Sequence, residues 1–175
     1  GFEVTTYRID GEYEDSRHPK EVVFTGELRE DLRRRDFTIN AMAYSHATGI
    51  VDAFDGVADL KARRIRCVGN AMERFTEDAL RILRAIRFSA QLGFEIEKET
   101  FEAISVIAPN LAKVSKERIQ MELTKLLCSE HPEKIREVYE TGISTYVSLA
   151  FAALDWQNAR VSAALPKEKY VRWAA

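Results

Sequence analysis

The run Glu77-Asp78-Ala79-Leu80-Arg81-Ile82-Leu83-Arg84 constrains this chain most, because it asks one helix to bury an aliphatic stripe and to hold its charges on the other side. At about 100° per residue, Glu77, Arg81, Arg84 and Phe88 fall within roughly 60° of one another. Asp78 sits at the flank, while Ala79, Ile82, Leu83, Ile86 and Ala90 point the opposite way. The apolar side must pack on a core, so the charged side is available for recognition. The same spacing also suits an ordinary solvated face laced with i,i+4 ion pairs.

A carboxylate only accepts hydrogen bonds and a guanidinium only donates them, so Asp78 beside Arg81 presents acceptor next to donor in a fixed order. Cytosine and adenine match that order, each with an exocyclic amine beside an unprotonated ring nitrogen. Uracil and guanine present a carbonyl beside a ring N–H and would leave buried charges unpaired. A good bidentate contact is worth about 1–3 kcal/mol in base readout, enough to reject U and G but not to separate C from A. Because this face is not core, Arg81→Ala is expected to cost selectivity more than stability.

Net charge over the 175 residues is only −2, yet the stretch from Lys61 to Arg87 holds eight basic residues against three acidic ones. Arg29, Arg33, Arg34 and Arg35 form a second cluster. Arginine's planar fork suits phosphate oxygens and base edges, so phosphate is a natural partner, although solvated basic faces are common. No apolar run approaches the ~18 residues that cross a bilayer, and Gly1-Phe2-Glu3-Val4-Thr5-Thr6 lacks the basic flank and apolar core of a signal peptide. A cytoplasmic protein without membrane contact is expected. Cys67 and Cys128 stand far apart and read as buried free thiols. His18, His46 and His131 have no metal-ligand spacing. Glu95, Glu97 and Glu99 alternate like metal carboxylates, but they follow Gly93 at a helix start, where acids complement the dipole.

Val4 to Ile9 and Val22-Val23-Phe24 read as strands, joined by a polar loop through Gly11 to Pro19 that is long for a tight hairpin. A short helix from about Glu27 to Arg34 follows, then a hairpin from Ala41 to near Asp52. From Asn70 onward the pattern is helical. Asn70 with Glu73 is a capping pair, Gly93 ends the Glu77 helix, and another helix runs from about Glu97 to Ala108. Ser115 caps Lys116 to Cys128, and Pro132 opens a helix that Gly142 terminates. The chain is therefore α+β to about residue 65 and all-α thereafter.

Three motifs in order, Arg34-Arg35-Asp36-Phe37-Thr38-Ile39-Asn40-Ala41, Asp52-Ala53-Phe54-Asp55-Gly56-Val57-Ala58-Asp59-Leu60 and Glu77-Asp78-Ala79-Leu80-Arg81, resemble those of bacterial class II tRNA nucleotidyltransferases. These are the CCA-adding enzymes and their poly(A) polymerase relatives. Glu117-Arg118-Ile119, Glu122-Leu123 and Lys125-Leu126-Leu127 resemble a further, weaker motif. The resemblance covers residues 2 to 145. It implies a partial nucleotidyltransferase head with a mixed sheet over 1–65, a base-recognising helical neck over 66–145, and the start of a helical body over 146–175. The Asp52 to Leu60 segment would be a hinge between head and neck.

On single residues, the resemblance implies that Arg35 contacts the incoming nucleotide and that Asp36 and Asn40 select ribose. Asp78 and Arg81 would template the base. Arg84 and Arg87 would hold base or phosphates, with Glu77 orienting an arginine, although Arg87 lies off the face of Arg81 and Arg84. The implied reaction is attack of a tRNA 3′-hydroxyl on the α-phosphate of CTP or ATP, with two Mg²⁺ ions held by an Asp-x-Asp strand. This sequence has no Asp-x-Asp; Glu3 resembles only a third carboxylate near that site. The chain is thus expected to be a piece of a longer enzyme and inactive by itself. The loop from Asp10 to Pro19 resembles one associated with adding the terminal A, which speaks against an enzyme that adds only C. Poly(A) polymerases share nearly all these motifs; CCA addition is the expected activity and poly(A) addition the alternative. A non-catalytic RNA-binding module that keeps the pocket as a relic is the reading from another class.

Overall fold

β-branched and aromatic residues at the start of the chain form β1 (Arg8–Asp10) and β2 (Val22–Phe24), antiparallel with Ile9 opposite Val23. The structure is a computed structural model that describes residues 4–11, 20–158 and 163–174. The expected polar loop therefore lies, from residue 12 to 19, outside the described residues, as does Glu3. α1 (Leu28–Arg33) follows, buries Leu32, and begins one residue after Glu27. β3 (Met42–Ser45) and β4 (Gly49–Asp52) make the expected hairpin, with Tyr44 opposite Ile50. Gly49 closes it at φ +71°, a left-handed turn position that a glycine adopts without penalty.

The segment expected to be a hinge contains a helix. Asp52 accepts the backbone N–H groups of Gly56 at 2.8 Å and Val57 at 2.9 Å, and these bonds start α2 (Gly56–Lys61). Burial alone would raise the Asp52 carboxyl, but those amide donors outweigh it and hold it below its usual value.

The helical part is built on α3 (Ala71–Glu77), α4 (Leu80–Leu92), α5 (Lys98–Ile107) and α6 (Lys116–Leu127). Asn70 caps α3 by accepting the Glu73 N–H at 3.2 Å. α4 buries Ile82, Leu83, Ala85, Ile86 and Ala90 against α6, and Gly93 ends it at φ +65°. Ser115 stands at the start of α6, but its side chain makes no capping bond there. α7 (Ile135–Glu140), α8 (Ser144–Val147) and α9 (Leu149–Ala152) follow, Pro132 opening the short turn before α7.

Two features cut across the expected division of the chain. β5 (Arg64–Ile65) pairs in parallel with β6 (Glu95–Ile96), so a strand lies inside the part expected to be all-α. One buried cluster also takes in Phe37 and Ile39, the four central helices, and Phe151 of α9. The helix Lys169–Ala174 returns to α6, where Trp173 donates its ring N–H to Thr124 Oγ1 at 3.0 Å. The fold is α+β, and among the described residues its strands pair as three two-stranded ladders, two antiparallel and one parallel. Among those residues no helix is long and apolar enough to cross a membrane.

Candidate functional site

The Arg34 to Ala41 run turns inward at its centre, where Asp36, Phe37, Thr38 and Ile39 are all buried. Phe37 is fully buried, its ring edge-on to Phe88 at 5.8 Å and its backbone bridged to Cys67; Ile39 and Ala41 are buried as well. With those side chains held in the core, Arg35, Asp36 and Asn40 line the rim of a cleft of about 500 Å³. Its other walls are Arg34 from the same run, Asp78, Leu80, Arg81 and Arg84 from the α3–α4 region, and Arg118 from α6.

Glu77 to Arg84 is not one continuous helix. α3 ends at Glu77, Asp78 is extended at φ −141° and ψ 103°, and α4 starts at Leu80. The physical cause is local: Asp78 Oδ1 accepts the Leu80 N–H at 3.0 Å, which starts α4 in the way an aspartate favours outside a helix. Asp78 Oδ2 accepts from Arg118 at 2.9 Å, so the carboxylate is oriented from both sides.

Arg81 is held more firmly than a solvated face would hold it. Its Nη1 donates to the Arg74 carbonyl at 2.9 Å and to Glu77 at 2.6 Å, and its Nη2 to the Arg34 carbonyl at 3.0 Å. Glu77 stands behind this arginine rather than on the cleft wall, and also pairs with Arg74. Arg81 is not on an open face: its side chain is 12% exposed and its bonds join the two motifs.

Arg84 donates through Nε at 2.8 Å and Nη2 at 2.5 Å to Asp36 Oδ2. Asp36 Oδ1 accepts the Phe37 N–H at 2.9 Å and Asn40 Nδ2 at 3.3 Å. Arg35 donates to Asp31 at 3.1 Å, while its buried Nε has no acceptor among the described residues. Asp31 also takes both Arg34 and the Arg8 N–H. Its burial would raise the carboxyl, but Arg34, Arg35 and Arg8 together bring it below its usual value.

Arg87 does not line the cleft. It is buried beside the cleft face, about 60° around α4 from Arg84, paired with Glu122 at 2.6 Å and bonded to Gln91, with its guanidinium 3.9 Å from the centre of the Phe88 ring. Helical geometry explains the displacement, since Arg87 is six residues from Arg81 and so turned well away from it. Arg34 and Arg118 line the cleft without having been assigned a role from the sequence. Arg118 lies in the weaker helical motif, and its position opposite Asp78 depends on how α6 packs on α4, which local pattern does not carry.

Other sequence expectations resolve without chemistry. Cys67 is buried, its thiol pushed up to about 12 by burial, whereas Cys128 is only half-buried. Glu95 pairs with Lys134 at 3.0 Å, and Glu97 accepts the Thr100 hydroxyl at 2.8 Å.

Comparison with known proteins places this geometry in context. Residues 1–66 match the family described as Poly A polymerase head domain, and residues 93–154 match Probable RNA and SrmB-binding site of polymerase A. The chain is 51% identical to a CCA-adding enzyme of Leuconostoc mesenteroides over 138 residues, 79% of this chain and 34% of that one. It superposes on the Bacillus stearothermophilus CCA-adding enzyme in complex with CTP with a TM-score of 0.79 at 39% identity, covering 93% of this chain and 39% of the other. For the Thermotoga maritima CCA-adding enzyme complexed with tRNA the TM-score is 0.63 at 35% identity, with 68% and 30% covered. The chain spans about a third of the length of the curated relatives it matches.

Proposed function

Given that this chain belongs to the nucleotidyltransferase family of CCA-adding enzymes and poly(A) polymerases, we propose that its cleft selects CTP and ATP for addition to the 3′ end of tRNA. The observation that carries the reading is the composition of one cleft: five guanidinium groups and two oriented carboxylates converge on a volume that holds a nucleotide. Guanidinium forks suit a triphosphate.

Asp78 and Arg81 serve the base. Each Asp78 oxygen holds one protein donor, which leaves each an acceptor position for an exocyclic amine. Glu77 holds Arg81 in place, Asn40 and Asp36 serve the ribose, and Arg84 stands between base and sugar. Arg87 has a packing role beside the cleft, against Glu122 and the Phe88 ring. The transferred nucleotide forms a bond from its α-phosphorus to the RNA 3′-oxygen, and pyrophosphate leaves. The reaction calls for Mg²⁺. Asp36 and Asp78 are both committed to arginines, and the described residues bring no three potential metal ligands together, so the cleft does not fit a divalent cation. Its carboxylates are proposed to come from outside the described residues, with Glu3 among them. Within this reading residues up to about 65 are head, 66–145 neck and the remainder the start of a body, working on tRNA in the cytoplasm.

The test is a competition of CTP, ATP, UTP and GTP for binding to the chain, followed by incorporation into a tRNA lacking its 3′ end by the full-length protein. Binding of CTP and ATP over UTP and GTP is expected; equal binding of all four overturns the base-reading assignment. Both matched families carry poly(A) polymerase in their description, so poly(A) addition is the second reading. It predicts use of ATP and no use of CTP.

A further inference from the structure

Arg74 lies in α3, outside the cleft, and joins the cleft-lining Arg81 to the end of α1. Glu77 stands between the two arginines: its Oε1 pairs with Arg74 at 2.5 Å and its Oε2 with Arg81 at 2.6 Å. Each arginine also holds one carbonyl where α1 ends. Arg74 Nη1 donates to the Arg33 carbonyl at 3.1 Å, and Arg81 Nη2 donates to the next one, that of Arg34, at 3.0 Å. The last carbonyls of a helix lack donors within it, so a cation from elsewhere in the fold can grip them. Arg81 closes the circuit by donating to the Arg74 carbonyl at 2.9 Å. The gripped carbonyls lead straight into the cleft wall, which begins at Arg34. One carboxylate thus sits midway between two guanidinium groups, and it stays there only while both hold it. Without Arg74, Glu77 has Arg81 alone, and the two are released to swing together.

We infer that Arg74 is a positioning residue for Arg81: by sharing Glu77 with it and holding the adjacent carbonyl of α1, it makes the setting of the cleft's base-facing guanidinium depend on the docking of α1. The inference rests on the nucleotide reading above and adds a coupling to it. Linkage makes that dependence reciprocal. A base that engages Arg81 tightens the end of α1, and an α1 that loosens blurs the reader. Arg74 lines no part of the cleft, so it acts through Glu77, Arg81 and the α1 carbonyls rather than on a nucleotide.

The experiment combines competition binding of CTP and UTP with amide hydrogen exchange over residues 28–34, for the chain and for its Arg74→Met and Arg74→Lys variants. In the unchanged chain, saturating CTP should slow exchange in α1 about tenfold, within the usual range for coupled sites, and UTP much less. Arg74→Met is expected to cut the CTP-over-UTP preference about five- to tenfold, the size of one lost hydrogen bond, and to abolish the protection of α1 by CTP. Arg74→Lys keeps a cation on Glu77, but a single ammonium does not reproduce the fork that also spans to the Arg33 carbonyl, so its preference should fall between the two. If the methionine variant does not fold, a lysine variant that matches the unchanged chain in both readouts overturns the inference. Were Arg74 only a structural prop, CTP and UTP would weaken together at constant ratio, and that result overturns it. Exchange in α1 that is the same with and without CTP overturns it too. A chain that binds neither nucleotide overturns the nucleotide reading on which the inference stands, a different result from a constant ratio.

Discussion

Arg118, in the first turn of α6, donates to Asp78 at 2.9 Å, although forty residues of sequence and the whole of α4 and α5 separate them. Both are about one-fifth exposed, so the pair sits at the cleft wall, where water screens it only partly. Its effect is geometric. With Oδ1 committed to the Leu80 N–H, the bond from Arg118 fixes the remaining rotation of the carboxylate.

Replacing Arg118 with Met keeps the length of the side chain and removes the donor. The preference for CTP over UTP should fall about five- to tenfold, the cost of one charge-assisted bond that orients the reader. Competition binding with labelled CTP measures it. A preference equal to that of the unchanged chain would mean that Asp78 needs no support from α6.

Arg81→Ala should cost stability as well as selectivity. The substitution strands the Arg74 and Arg34 carbonyls and leaves Glu77 with Arg74 alone. Hydrogen bonds to charged groups contribute about 1.5–3 kcal/mol, so urea unfolding should show a loss in that range. Arg81→Lys should recover less than half of it, since one ammonium cannot reach three acceptors in the plane of the guanidinium.

Asp31 gives the region below the cleft an acid-sensitive joint. Its carboxyl lies below its unfolded-state value of 3.8 when folded, because Arg34, Arg35 and the Arg8 N–H outweigh the cost of burial. The stabilisation is complete above that value and drains away as pH falls through the lower folded-state value. Asp31→Asn should therefore be less stable than the unchanged chain at pH 7 and show a flatter loss of stability below about pH 4. Thermal unfolding from pH 2 to pH 7 follows both.

Gly56→Ala should unfold the rim of the cleft. A Cβ at this buried position would press on the Thr38 carbonyl oxygen and lie 2.9 Å from Met42 Sδ. Thr38 cannot yield freely, because its hydroxyl donates to Asp59 at 2.7 Å and Asp59 also holds Arg66. A loss of about 1–3 kcal/mol is expected from overpacking, with weakened nucleotide binding through the displaced Asn40. Differential scanning fluorimetry and the ATP dissociation constant together check it.

Much of this was legible from local pattern. The apolar stripe Ile82, Leu83, Ile86 and Ala90 points to the buried side of α4, Asn70 and Gly93 mark helix ends, and the Ala41 to Asp52 run marks a hairpin. What escaped is where side chains act, on backbone close by as well as over long sequence separations. Asp78 leaves the helix because its own carboxylate captures the Leu80 N–H, an outcome that periodicity treats as a flank position. Arg87 belongs to Glu122, and Arg118 to Asp78, through the packing of α6 on α4. The helix at Gly56 was hidden because its start is drawn from Asp52, four residues upstream and at the end of a strand.

The short parallel ladder has a practical corollary for dissecting the protein. The Glu95 N–H bonds to the Arg63 carbonyl at 3.0 Å and the Glu97 N–H to that of Ile65 at 2.9 Å, so α3 and α4 are strapped at both ends by backbone alone. Starting a shortened helical unit at residue 66 would unbuckle that strap and strip Phe37 from the Phe88 ring in the same stroke. A piece meant to survive on its own has to begin upstream of Arg34.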